Sequence, residues 1–95
     1  MEDSENAKGA VLRELLLRGK IGGAHAPLGS ITNNMPDKFL HNKKGRKAIA
    51  IAIKELANAC WVIILQKRTG KGSDLHISIN PRKIKEINDY LIFQK

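Results

Sequence analysis

The segment from Lys38 to Ser73 constrains this 95-residue chain more than any other, because it reads as a basic helix running directly into a β-hairpin. Its basic residues are Lys38, Lys43, Lys44, Arg46, Lys47, Lys54, Lys67, Arg68 and Lys71. Its only acid is Glu55, so it holds the entire formal net charge of +8. The other eight basic residues are matched by eight acids. Charge gathered in one part of a small domain is the electrostatic footprint of a polyanion binder, whereas a surface built only for solubility mixes its signs.

The run Ala48-Ile49-Ala50-Ile51-Ala52-Ile53 alternates as a strand does, but as a strand it would present one face of alanine alone. Wound at about 100° per residue, it places Ile49, Ile53, Leu56 and Cys60 on one side, flanked by Ala48, Ala52 and Ala59. Lys43, Arg46, Lys47, Ala50, Lys54 and Asn58 then fall opposite. A helix from about Lys43 to Ala59, capped by Asn42, is therefore expected. Trp61 to Lys67 is an apolar, β-branched run of strand length, and Arg68 to Ser73 reads as a glycine-containing turn. Leu75, Ile77 and Ile79 alternate with His76, Ser78 and Asn80, the pattern of a half-buried strand.

Before this segment, Asp3 or Ser4 can cap a helix running to about Arg18. Ala7, Ala10, Val11, Leu12, Leu15 and Leu16 form its apolar stripe, and Gly19 forms its stop. Residues 1–4 are expected to be flexible. Lys20 to Pro27 reads as a loop with a short extended piece near His25 to Leu28. Ser30 is placed to cap a short helix through Asn34, which Pro36 ends. After the hairpin, Asn80-Pro81 marks a helix start, with Ile84, Ile87 and Leu91 as its core stripe.

Ninety-five residues at 42% hydrophobic content suffice for one domain, residues 1–95, with one modest core. Trp61, Tyr90, Phe39 and Phe93 are the only aromatic residues, too few for the base-stacking platform that single-strand readers use. One cysteine, the absence of a run of about 20 apolar residues and an N-terminus unlike a secretion signal point to a cytoplasmic protein. His25, His41, Cys60 and His76 have no zinc-site spacing, so no metal or cofactor is expected. Gly70-Lys71-Gly72-Ser73 departs from a phosphate-binding loop by splitting the lysine from the hydroxyl residue. No nucleophile–base set or paired acids appear, and no enzymatic activity is expected.

The order helix, short helix, basic helix, hairpin and terminal helix is α+β and matches a winged helix-turn-helix domain: a three-helix core, a β-hairpin wing and an additional C-terminal helix. In such a frame the basic helix enters the major groove of duplex DNA. Arg46 is expected to read a base through its planar fork, with Ala50 letting the helix axis come close. Lys43, Lys44, Lys47 and Lys54 would contact phosphates, and Lys67, Arg68 and Lys71 would act from the wing. Asn58 has the chemistry to read adenine but sits at the far end of the helix. Tyr90, Ile92 and Phe93 make the last helix apolar on more than one face, which suits either packing on the first helix or a homodimer interface. Double-stranded DNA is the expected partner. The alternatives are an RNA- or ribosome-associated role and a protein-interaction module docking an acidic partner. No membrane partner is expected.

Several short runs carry a likeness: His25-Ala26-Pro27, Met35-Pro36, Lys54-Glu55-Leu56 and Ser78-Ile79-Asn80-Pro81-Arg82-Lys83-Ile84-Lys85-Glu86-Ile87. Over about Val11 to Ile92 the chain resembles small archaeal winged-helix proteins. That resemblance implies a transcriptional regulator or chromatin-type binder. It departs at Ala57-Asn58-Ala59-Cys60, where such proteins commonly place a glycine between the basic helix and the first wing strand.

Overall fold

Two sixteen-residue helices supply much of the core, and both are stopped by the same device. The computed structural model describes residues 2–69 and 72–93, with the side chains of residues 5–68 and 74–93. Helix α1 spans Glu2–Leu17 and α4 spans Lys43–Asn58. At the end of α1, Gly19 takes φ +66°, and its N–H donates to Leu16 O while that of Lys20 donates to Leu15 O. At the end of α4, Cys60 N–H donates to Ala57 O and Trp61 N–H to Leu56 O, both at 3.0 Å. This is the paired-bond stop that usually needs glycine in the left-handed position. Cys60 fills it here at φ +63°.

That geometry corrects two expectations. The helix ends at Asn58, and Cys60 is exposed instead of joining the core side. Ala59 is exposed as well. Helical angles cease to apply once the backbone turns left-handed. Asn80 holds the turn in place, its Nδ2 donating to Cys60 O at 2.7 Å and its backbone N–H to Trp61 O at 2.9 Å. At the other terminus α1 starts at Glu2, so Asp3 and Ser4 lie inside its first turn.

The connection between α1 and α4 also differs from expectation. Helix α2 is Leu28–Thr32, and the Ser30 hydroxyl donates back to Pro27 O at 2.8 Å instead of capping a later start. Pro36 opens an unforeseen single turn, α3, at Asp37–Leu40. Both prolines stand immediately before a helix with φ near −55°, which a ring-locked residue adopts without cost.

Three antiparallel strands complete the fold: β1 at Ala26–Pro27, β2 at Val62–Thr69 and β3 at Gly72–Ile79, in the order β1-β3-β2. Val62 faces Ile79, and Ile64 and Ala26 both face Ile77. Val62, Ala26, Ile77 and Ile79 are buried against the helices with Val11, Leu12, Leu15, Ile31 and Ile87. Each valine, leucine or isoleucine among them contributes about 1.5–3 kcal/mol when fully buried. Pairing runs out to Thr69 and Gly72, so strand occupies most of the expected Arg68–Ser73 turn. The alternation expected of β3 fails at both ends. Leu75 is exposed where the hairpin projects, and Ser78 is buried where Ile21 runs beside Ile79.

Asn80 Oδ1 accepts from Arg82 N–H at 3.0 Å, as its capping role required. It starts a 3-10 turn at Pro81–Lys83 that leads into α5 at Ile84–Phe93. The fold is thus α+β, with five α-helices and one three-stranded antiparallel sheet among the described residues. No described helix is long and apolar enough to cross a membrane.

Because a non-glycine residue pays about 1–2 kcal/mol to sit in the left-handed region, Cys60→Gly should raise stability by about 1 kcal/mol in urea denaturation. An unchanged or lower midpoint would mean that the cysteine side chain makes a compensating contact.

Candidate nucleic-acid interface

Helix α4 is set by its first turn. Asn42 Oδ1 accepts the Gly45 N–H at 2.6 Å, and Asn42 Nδ2 reaches Lys38 O at 3.4 Å. Only His41 and Asn42 separate α3 from α4, so the two backbones approach closely at Gly45. A Cβ there would lie 2.6 Å from Phe39 Cα and 2.7 Å from Lys38 O. Phe39 is buried and Lys38 lies over its ring at 5.2 Å. Lys38 therefore belongs to α3 and its junction with α1.

The inner side of α4 buries Ala48, Ile49, Ala52, Ile53 and Leu56, and Lys43, Lys44, Arg46, Lys47, Ala50, Lys54 and Asn58 are exposed. The expected partition of the helix therefore holds up to Asn58. Ile51 shares the outward side at 40% exposure, a consequence of winding an alternating Ala/Ile run into a helix. Arg46 is more tied than its sequence position suggests, because its Nη1 donates to Leu40 O at 3.0 Å, across the end of α3. One bond of the five N–H donors of a guanidinium leaves the rest of the fork available.

The acid within the basic stretch is drawn away to α1. Lys8 Nζ lies 3.0 Å from Glu55 Oε1 and 3.2 Å from Glu5 Oε1. The Tyr90 hydroxyl donates to Glu5 Oε2 at 2.6 Å and stacks edge-on against Trp61, with ring centroids 5.5 Å apart. Its neighbours Ile92 and Phe93 remain exposed, so the last helix is tied to α1 through Tyr90 and places Ile87 in the core, while its final turn faces solvent. The Tyr90 hydrogen bond, with that of Lys8, holds the Glu5 carboxyl below the ordinary glutamate range. Glu55, then Glu5, raises the Lys8 ammonium above its ordinary value.

On the hairpin, Lys67 and Arg68 are exposed, and Lys71 lies outside the described residues. Strand pairing sets Lys67 opposite Asp74 and Arg68 opposite Ser73. The wing is therefore less basic than the Lys38–Ser73 stretch implied, because Asp74 follows that stretch by one residue. Near the base of the sheet, His25 Nδ1 and His76 Nδ1 are 2.9 Å apart, one ring donating to the other. Loss of hydration, followed by the charges of His76, Lys67 and Lys20, disfavours protonation of His25. Among the described residues no cluster of three His, Cys, Asp or Glu side chains is placed to hold a metal ion.

Two outcomes follow from this geometry. Gly45→Ala should cost about 1–3 kcal/mol of stability, since backbone atoms must move to admit the methyl group, and thermal unfolding will read the loss. Tyr90→Phe should cost about 1 kcal/mol at neutral pH. The Glu5 contribution is present above the ordinary glutamate value and is lost as pH falls through its lowered one. The gap between Tyr90→Phe and the parent protein should therefore narrow as pH falls below the ordinary glutamate range, as followed by urea midpoints.

Comparisons of this chain with protein-family models, with curated proteins and with solved structures gave no match.

Proposed function

We propose that this protein binds double-stranded DNA as a winged-helix protein in transcriptional regulation or DNA architecture, presenting α4 to the major groove and the β2–β3 hairpin to the flanking backbone. The observation that carries this reading is the outward side of α4. It exposes Lys43, Lys44, Arg46, Lys47 and Lys54 around the small side chain of Ala50, and Glu55 is paired back to Lys8. A helix of 16 residues is about 24 Å long, and the major groove of B-form DNA, about 12 Å wide, admits such a cylinder. The deep, narrow major groove of an RNA duplex does not. The order α1, β1, α2, α3, α4, β2, β3, with β1 on the edge of β3, supports the winged-helix assignment.

In this reading Lys43, Lys44, Lys47 and Lys54 neutralise phosphates. Arg46 reads a base edge with the part of its fork that Leu40 leaves open. Lys67, Arg68 and Lys71 act from the wing. The protein has no catalytic role and works in the cytoplasm.

Fluorescence anisotropy with labelled DNA duplexes and structured RNAs tests the proposal. Duplex DNA should bind more tightly than RNA, with log affinity falling linearly in log salt. Lys47→Ala and Lys54→Ala should each flatten that slope by about 1 and weaken all duplexes alike. Arg46→Ala should cost about 1–3 kcal/mol and relax sequence preference. RNA preference would reassign the face to a structured RNA, and silence toward both at low salt would reassign it to an acidic protein.

A further inference from the structure

Beside the exposed side of α4, between α2, α3 and α4, lies an open cavity of about 380 Å³. Its apolar wall is made by Leu28, Phe39, Leu40, Ile49, Ala50 and Ile53. Thr32 and Asn33 contribute polar groups, and among the described residues Arg46 is the only charged one on its lining. No acid lines it. A mainly apolar hollow of this size with a few convergent polar groups is the usual form of a small-ligand site. A guanidinium at the edge of an apolar cavity favours a carboxylate, which it can meet through two parallel N–H bonds.

We propose that this cavity binds a small amphipathic carboxylate, its apolar body on Phe39, Ile49 and Ile53 and its carboxylate at Arg46. The exposed Lys43, Lys47 and Lys54 of the same helix add to the local positive potential and favour an anionic head over a cationic one. The other large hollow, about 440 Å³ between α1 and the Asn34–Phe39 stretch, has Arg13, Glu14 and Lys38 on its wall. Mixed charge there selects no ligand class. The inference goes beyond nucleic-acid binding and does not depend on it. The two share Arg46, so an occupied cavity would take from DNA the side chain assigned to base reading.

The test is methyl NMR on the labelled protein without nucleic acid, titrated separately with octanoate, 1-octanol and octylamine. Octanoate should shift the Leu28, Leu40, Ile49 and Ile53 methyls and bind at least about tenfold more tightly than octanol, as a charge-assisted bidentate contact requires. Octylamine should bind more weakly than octanol. Arg46→Gln should remove the advantage of octanoate and leave the octanol shifts in place. Ala50→Leu, at an exposed position, should fill the cavity and abolish all three responses. Octanoate no tighter than octanol, or shifts falling on Leu17 and Met35 instead, would overturn the proposal. Because DNA is absent, failure here would leave the nucleic-acid reading untouched, and failure of duplex binding would leave the ligand result standing.

Discussion

The missing Cβ at Gly45 lets α3 and α4 touch backbone to backbone, and much else is set by that contact. With Phe39 Cα and the carbonyls of Lys38 and Phe39 packed onto the first turn of α4, the helix can turn sharply out of α3 after only two residues. Asn42 then has the reach to cap the turn, and Arg46 has the reach to close over the end of α3. The rotation of α4 about its own axis follows. Ile49, Ile53 and Leu56 go to the core and the lysines go to water. A larger residue at position 45 would lift the start of the helix and shift both sets together.

Charge is sorted by tertiary contacts as much as by sequence position. Glu55 would dilute the basic side of α4 if it stood alone, but Lys8 engages it from α1 and is itself shared with Glu5. Exposed ion pairs of this kind add little to stability. Their effect here is on potential, because a negative group beside the lysines is screened at close range. The hairpin shows the reverse. Asp74 comes to lie across from Lys67, and a segment that looks uniformly positive along the chain becomes mixed once the strands pair.

Much of this was legible in the residues. Asn42, Gly19 and Asn80 announced a helix start, a helix stop and a second start, and each makes the expected hydrogen bonds. The burial of Ala48, Ile49, Ala52 and Ile53 followed from helical spacing despite a strand-like alternation. What escaped lies where local chemistry gives no cue. Asp37–Leu40 is too short to show a period, and the proline before it reads as a terminator as readily as an initiator. Cys60 is not a residue type that signals a left-handed stop, and its conformation depends on Asn80, twenty positions away. The pairing of Glu55 with Lys8 and the tie from Arg46 to Leu40 are facts of packing, invisible to periodicity.

The bond between Tyr90 and Glu5 joins positions 85 residues apart, and that separation bears on the order in which the molecule can form. Closing so long a span costs more chain entropy than any helix or the hairpin, and contacts of that kind reward the chain only after the nearer ones are in place. The β2–β3 ribbon closes between adjacent strands, whereas α1 meets α4 across the intervening β1, α2 and α3 segments. The tie from Tyr90 to Glu5 is the longest of these spans, so the basic face can take shape before Tyr90 reaches Glu5 and the ring of Trp61.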